Sequence, residues 1–201
     1  MVGSLSITST CTCSAGATPD RTEEKYGPMA GMPIWPTVPA LDTAHRGEPR
    51  LQSTPGTYAL ILVAMADQLI QIGRLGPLHV RAGFYVYVGS AFGPGGVRAR
   101  VAHHRKHAAR PHWHIDYLRL VAFLTAIWYT YDTLRREHQW AEVLQRTRGV
   151  SIPLQRFGAS DCTCASHLYF LSTRPSWHAF RSGIRNACRG HLPVHCQRLE
   201  P

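Results

Sequence analysis

The chain has 201 residues, 44% of them apolar, and a formal net charge of +10. That length allows one domain of ordinary size with extensions, and the longest apolar runs, Tyr58–Ala66 and Leu120–Tyr129, are too short to span a bilayer. Of the 22 basic residues only Lys25 and Lys106 are lysine, and arginine's planar fork suits phosphate or carboxylate, so the composition points to anionic partners. MVGSLSITST lacks the basic n-region and long apolar core of a secretory signal, which leads us to expect a soluble, cytoplasmic protein with no membrane partner. The cysteines fall as two CTC triplets, Cys11/Cys13 and Cys162/Cys164, plus Cys188 and Cys196; alternate residues are poorly placed to bridge each other, so thiols or metal ligands are expected.

Residues 1–54 are rich in Ser, Thr, Pro and Gly, and PMAGMPIWPTVP sustains neither a helix nor a central strand. This stretch is expected as a disordered or loosely attached extension. GTYALILVAMA, from Gly56, reads as a buried strand, Asp67 and Gln68 mark a turn, and QLIQIGR returns as a second strand. LGPLHVRAG reads as a loop into FYVYVG, where alternation puts Phe84, Val86 and Val88 on one face and Tyr85, Tyr87 and Gly89 on the other. After the turn Gly93-Pro94-Gly95-Gly96 a helix begins, with Val97, Val101 and Ala108 inward and Arg100 beside His104 at i,i+4. PHWHIDYLRL reads as a short helix or turn and AFLTAIWYTY as a strand. DTLRREHQWAEVLQRTRG reads as a helix, with Asp132 or Thr133 as N-cap and its end at Gly149. The loop FGASDCTCAS and the strand HLYFLS complete a domain over 55–172, and a basic, Pro-containing tail follows over 173–201.

Several of these segments carry chemistry. On the last helix Leu134, Glu137, Trp140, Ala141 and Leu144 share one apolar arc. A carboxylate there is costly to desolvate, so Glu137 is either the partner of a structural arginine or a metal ligand or catalytic acid in a cleft. Glu142, on the far side, reads as a solvent-facing acid. Tyr58, Tyr85 and Tyr87 either pack in the sheet or serve a site. Val97–Arg110 holds Arg98, Arg100, Arg105, Lys106 and Arg110 without an acid, a patch that attracts nucleic acid by charge unless it is simply a solvated face. Asp161, Cys162, Cys164 and His167 form D-C-x-C-x-x-H: these are zinc ligand types, with His112 and His114 able to approach from elsewhere, but the spacing is not that of a C-x-x-C knuckle. The alternative is a loop of small residues packed on the sheet. In the tail, Cys188, His191, His195 and Cys196 supply further ligand types.

In order along the chain, Gly56-Thr57-Tyr58, Tyr87-Val88-Gly89, Arg100 with His104, and the helical Glu137 resemble the GIY-YIG nuclease superfamily over about residues 55–172. HWHIDYL at 112–118 and FGASDCTCASHLYF at 157–170 are similar to a branch of it catalogued as a domain of unknown function. Thr57 stands where the motif has isoleucine, and the asparagine found late in many members has no counterpart. The resemblance implies a small α/β core of α+β type, with a central, mainly antiparallel sheet flanked by helices and, here, an extra hairpin between the two tyrosines. It also implies a metal-dependent, endonuclease-like phosphodiesterase acting on nucleic acid, DNA favoured. In that scheme Tyr58 or Tyr87 helps activate water, Arg100, with His104 at the family's spacing, neutralises the phosphate, and Glu137 holds one divalent cation, Mg2+ or Mn2+. Gly89, Ser90, Arg98, Arg105, Lys106 and Arg110 would meet the nucleic acid, with the Gly93–Gly96 turn bringing phosphate to the helix N-terminus. Zn2+ at Cys162, Cys164 and His167 would be additional. Two rival readings use the same residues: a non-catalytic nucleic-acid-binding module with a decayed site, and a zinc-stabilised interaction domain, the latter favoured if the cysteines held metal and Arg100 pointed into solvent.

The basic segment makes a prediction by itself. Phosphate contacts release counterions, so affinity for duplex or branched DNA should fall steeply as salt rises, with little base preference. A binding titration that gave the same affinity at low and high salt would mark the segment as a solvated face.

Overall fold

The computed structural model describes residues 50–106 and 108–199. Residues 1–49 of the extension expected over 1–54, with Cys11 and Cys13, lie outside the described residues, as does His107. Along the described chain run β1 (Thr57–Ala64), β2 (Gln68–Ile72), β3 (Gly76–Val80), β4 (Gly83–Ser90), α1 (Gly96–Arg105), α2 (His114–Leu118), β5 (Phe123–Thr130), α3 (Glu137–Gln145), β6 (Leu168–Leu171), α4 (Trp177–Ala187) and β7 (His195–Arg198). Five strands form one antiparallel sheet in the order β6-β4-β1-β5-β7, and β2 and β3 form a separate two-stranded sheet. The architecture is α+β.

The sequence TYALILVA explains why β1 is central. All of it but Val63 is buried, and a run apolar at both parities is stable only where both faces of the sheet are covered. One face sends Tyr58, Leu60 and Leu62 of β1, with Tyr85, Ile127 and Tyr129, against Val97 and Val101 of α1, Ile115 and Leu118 of α2, and Ile72, Leu78 and Val80 of the hairpin. The opposite face sends Ala59, Ile61, Val86, Val88 and Trp128 against Trp140, Ala141 and Leu144 of α3 and Phe180 and Ile184 of α4. The expected alternation along FYVYVG holds, with Val86 and Val88 on one side and Tyr85 and Tyr87 on the other.

Three segments depart from the sequence-based expectation. QLIQI does not return onto β1, because both edges of that strand are taken by β4 and β5; it pairs instead with GPLHV, so the stretch expected as a loop contains β3. The helix expected from Asp132 begins at Glu137. Asp132 Oδ1 accepts from the Leu134 amide at 3.0 Å, a side-chain turn that competes with the helix, and Asp132 Oδ2 holds Arg136 Nε at 2.8 Å. Leu134 therefore lies outside the helix and is exposed. Ala108 likewise falls beyond the end of α1.

The third departure is the C-terminal segment, read as a tail. Trp177, Phe180 and Ile184 recur at i, i+3 and i+7, an apolar stripe that packs α4 on the sheet, and Ser176 caps the helix by accepting from the Ala179 amide. Phe180 stacks on Trp128 at 4.7 Å and meets Trp140 edge-on at 5.1 Å, while β7 covers the outer edge of β5. These contacts predict that a chain ending at Ser172 loses the cooperative unfolding transition, because it would bare the Trp128–Trp140 layer and an unpaired strand edge. A thermal melt of that fragment matching the full chain would overturn this.

Candidate functional site

The site is built at the N-terminal end of β1. Tyr58 lies directly opposite Gly89 on β4, and a Cβ added at Gly89 would stand 2.7 Å from the Tyr58 hydroxyl, so the missing side chain is the space the phenol occupies. Gly158 repeats the device for the second tyrosine: its φ of +69° suits glycine, and a Cβ there would meet Tyr87 Cε2 at 2.7 Å. Next to Tyr58, the Thr57 hydroxyl accepts from the Arg136 amide at 3.1 Å. That bond helps set where α3 starts and puts its first residue, Glu137, at the head of the Trp140–Ala141–Leu144 stripe, beside the tyrosines. On α1, Arg100 and His104 face the same place.

A cleft results, and it brings together Tyr58, Tyr87, Arg100, His104 and Glu137. Gly89 and Ser90 also line it. Tyr85 does not; its hydroxyl is bonded to the backbone of Arg81. Tyr58 Oη and His104 Nε2 are 2.8 Å apart, both groups buried. Burial, and then the neighbouring Tyr87 phenol, pushes Tyr58 well above the usual phenol range; burial, and then the Glu137 carboxylate, raises Tyr87. Burial, and next the His103 ring, lowers His104 to about 3. At neutral pH the two phenols are protonated and His104 is neutral. Its Nδ1 has no hydrogen-bond partner among the described residues, while its backbone carbonyl is held by the buried Arg119 at 3.1 Å.

The charged groups stand around this neutral floor. Arg100 is half-buried with its guanidinium 4.7 Å from the centre of the Trp113 ring, so it is not a solvent-pointing arginine. Glu137 is 15% exposed at the side chain, and its ion-pair contact is His138 Nε2 at 3.6 Å, so the alternative of a structural arginine partner is not realised among the described residues. Glu142 is exposed and pairs with Arg146. Arg98, Arg105, Lys106 and Arg110 are all exposed, away from the cleft lining. The N-terminus of α1 is not open to phosphate as expected: the amides of Val97 and Arg98 donate to the carbonyls of Thr54 and Gln52, at 3.0 and 3.1 Å. Residues 50–54 fill that position.

Four contributors escaped the sequence reading. Trp113, Arg135, Gly158 and Asp161 line the cleft from segments far apart in the chain; HWHIDYL had marked the first and D-C-x-C-x-x-H the last, without a position. His138 is the other surprise. Its Nδ1 lies 3.1 Å from Cys164 Sγ, and Cys162 Sγ lies 3.5 Å from His167 Nε2. His114 does not join them, since its Nδ1 accepts from the Gly158 amide at 3.0 Å. In the C-terminal segment His191 accepts from Trp140 Nε1 at 2.8 Å and His195 stacks on Tyr129, so these two serve packing.

The depressed His104 gives a pH dependence with a definite sign. An unfolded histidine binds its proton near pH 6.5, and the folded one only near 3. The contribution is complete above pH 6.5 and is lost as pH falls through the interval down to 3, because the unfolded state there binds the extra proton. Chemical denaturation between pH 7 and 4 should show stability falling, with a shallower fall in His104→Gln; equal slopes for the two proteins would refute this role.

Searches of curated proteins and of solved structures each return no match. A family model described as domain of unknown function DUF123 matches residues 57–189, from the first residue of β1 to just past α4, and so takes in every group brought into the cleft. That span is well over half of the chain, and the protein belongs to this family of unknown function.

Proposed function

We propose that the chain is a metal-dependent phosphodiesterase that cuts nucleic acid, DNA before RNA, in the manner of the GIY-YIG nucleases. What supports this reading is the meeting of Tyr58, Tyr87, Arg100, His104 and Glu137, from β1, β4, α1 and α3, in one cleft beside a basic helix. Glu137 and Asp161 offer that cleft hard oxygen donors, and neither has an arginine within ion-pair distance among the described residues. Such a donor set fits Mg2+ or Mn2+, held through Glu137 with several waters retained. A cation bound there would stabilise the charge that develops on the leaving oxygen.

The remaining tasks fall to the protein's own groups. Stacking on Trp113 restricts Arg100, so its fork engages a phosphate with less loss of side-chain freedom than a solvated arginine would suffer. Tyr58 is a protonated phenol, and it takes a proton from an attacking water only as it passes its own to His104 Nε2, 2.8 Å away. That direction requires the His104 tautomer with hydrogen on Nδ1. Tyr87, half-buried on the same sheet face, orients the water by its hydroxyl. Arg135, whose guanidinium lies 5.1 Å from the centre of the Phe92 ring, adds positive charge at the mouth.

Glu137→Gln separates catalysis from binding alone. The substitution is nearly isosteric and leaves no arginine unpaired, so the melting temperature and DNA affinity should hold while Mg2+-dependent cleavage falls by about 10²-fold or more. Glu142→Gln, which removes only an exposed pair with Arg146, should change neither. Cleavage by Glu137→Gln at the parent rate, measured on labelled duplex DNA, would refute the assignment; so would a parent protein that binds DNA and never cuts it.

A further inference from the structure

We infer that His138, Cys162, Cys164 and His167 form a structural zinc site that fastens the first turn of α3 to the loop before β6. The four donor atoms all lie within 4.8 Å of one another, although His138 is separated by more than twenty residues from the other three. In a tetrahedral site with the usual zinc–nitrogen and zinc–sulfur lengths, neighbouring nitrogen and sulfur ligands stand about 3.5 Å apart. The observed nitrogen–sulfur separations are 3.1 Å for His138–Cys164 and 3.5 Å for His167–Cys162. Neither cysteine is in a disulfide. Two thiolates and two imidazoles are a soft set that favours zinc over the hard cations suited to the cleft, and four protein ligands leave no position open for catalysis.

The surroundings are those of a built site. Arg156 gathers the loop from behind, its guanidinium donating to the carbonyls of Ser160, Cys162 and Cys164 at 3.4, 2.6 and 3.4 Å. His167 is fixed by its backbone, which bonds Phe157 on one side and Val88 of β4 on the other. His138 turns Nδ1 to the thiols, with Nε2 on its far side. The site thus ties two walls of the cleft together: Glu137 on one, Gly158, Asp161 and His167 on the other. It holds them without touching a substrate, and it stands whether or not the cleft cuts nucleic acid.

The test reads metal rather than cleavage. The full-length protein, purified without chelator and dialysed against buffer containing Mg2+, should carry about one zinc per chain by elemental analysis. Replacing zinc by Co2+ should give the visible bands of a tetrahedral site with thiolate-to-cobalt charge transfer. The double variant Cys162→Ser/Cys164→Ser should lose both signals, and His138→Ala should weaken zinc binding at least about tenfold. Cys188→Ser and Cys11→Ser/Cys13→Ser should keep them. Should the double variant fail to fold, the parent alone still decides, since chelation should lower its melting temperature and added Zn2+ restore it. Protein purified free of zinc whose melting temperature ignores added Zn2+ would overturn the site, as would zinc retained in the double cysteine variant.

Discussion

Thr57 and Tyr58, the first residues of the central strand, are the fixed points to which the cleft is referred. The Thr57 hydroxyl holds the Arg136 amide and so decides where α3 begins; the Tyr58 hydroxyl reaches His104 on α1. Helices on opposite faces of the sheet are thereby registered to adjacent residues of one strand. Tyr58 can lie flat at that end only because β4 opposes it with glycine. The strand itself has no freedom to shift, since slipping it by one residue would exchange the Tyr58–Leu60–Leu62 face with the Ala59–Ile61 face and misfit both cores.

Burial divides the labour in the cleft. Tyr58 and His104, buried in it, and the half-buried Tyr87 are kept neutral by desolvation. Those that must stay charged, Arg100, Arg135 and Glu137, keep some exposure or an aromatic surface to lie on. In the proposed reaction, a neutral, hydrogen-bonded floor under a mixed-charge rim would meet the added charge of an anionic substrate at the rim while protons move below it. The buried Arg119 contributes from outside the cleft, by holding the last turn of α1 at the His104 carbonyl.

Oxygen donors and sulfur–nitrogen donors occupy neighbouring sites with one residue of α3 facing each. Glu137 faces the cleft and His138 faces the thiols, so a hard cation and a soft one could be held side by side without competing for ligands. The first turn of α3 thus stands between the two donor sets, and Asp132, with the Thr57 bond, keeps the helix from starting before Glu137.

Much of this was legible in sequence because it is local. The two-residue alternation of FYVYVG, the buried run TYALILVA, the i,i+4 pair Arg100–His104 and the ligand types of D-C-x-C-x-x-H each follow from neighbours along the chain. The α+β class and the group of cleft residues were what the family resemblance carried by these segments implied. What the sequence alone did not decide was set by contacts between distant segments. Pairing of β1 on both edges turned LGPLHV from a loop into a strand of a separate hairpin. Carbonyls of residues 52 and 54 closed the N-terminus of α1, and the Trp128–Trp140 layer drew a basic, Pro-containing segment into α4. Glu137 was singled out by its place on an apolar arc, which α3 keeps with Trp140, Ala141 and Leu144, but its position beside the tyrosines comes from a hydroxyl on β1. His138 carried no signal at all, since a ligand contributed from another element has no spacing to read; only the tertiary structure brings it to the thiols. Local periodicity is written in the order of residues, whereas the partner of a side chain is chosen by whichever surface the packed core leaves beside it.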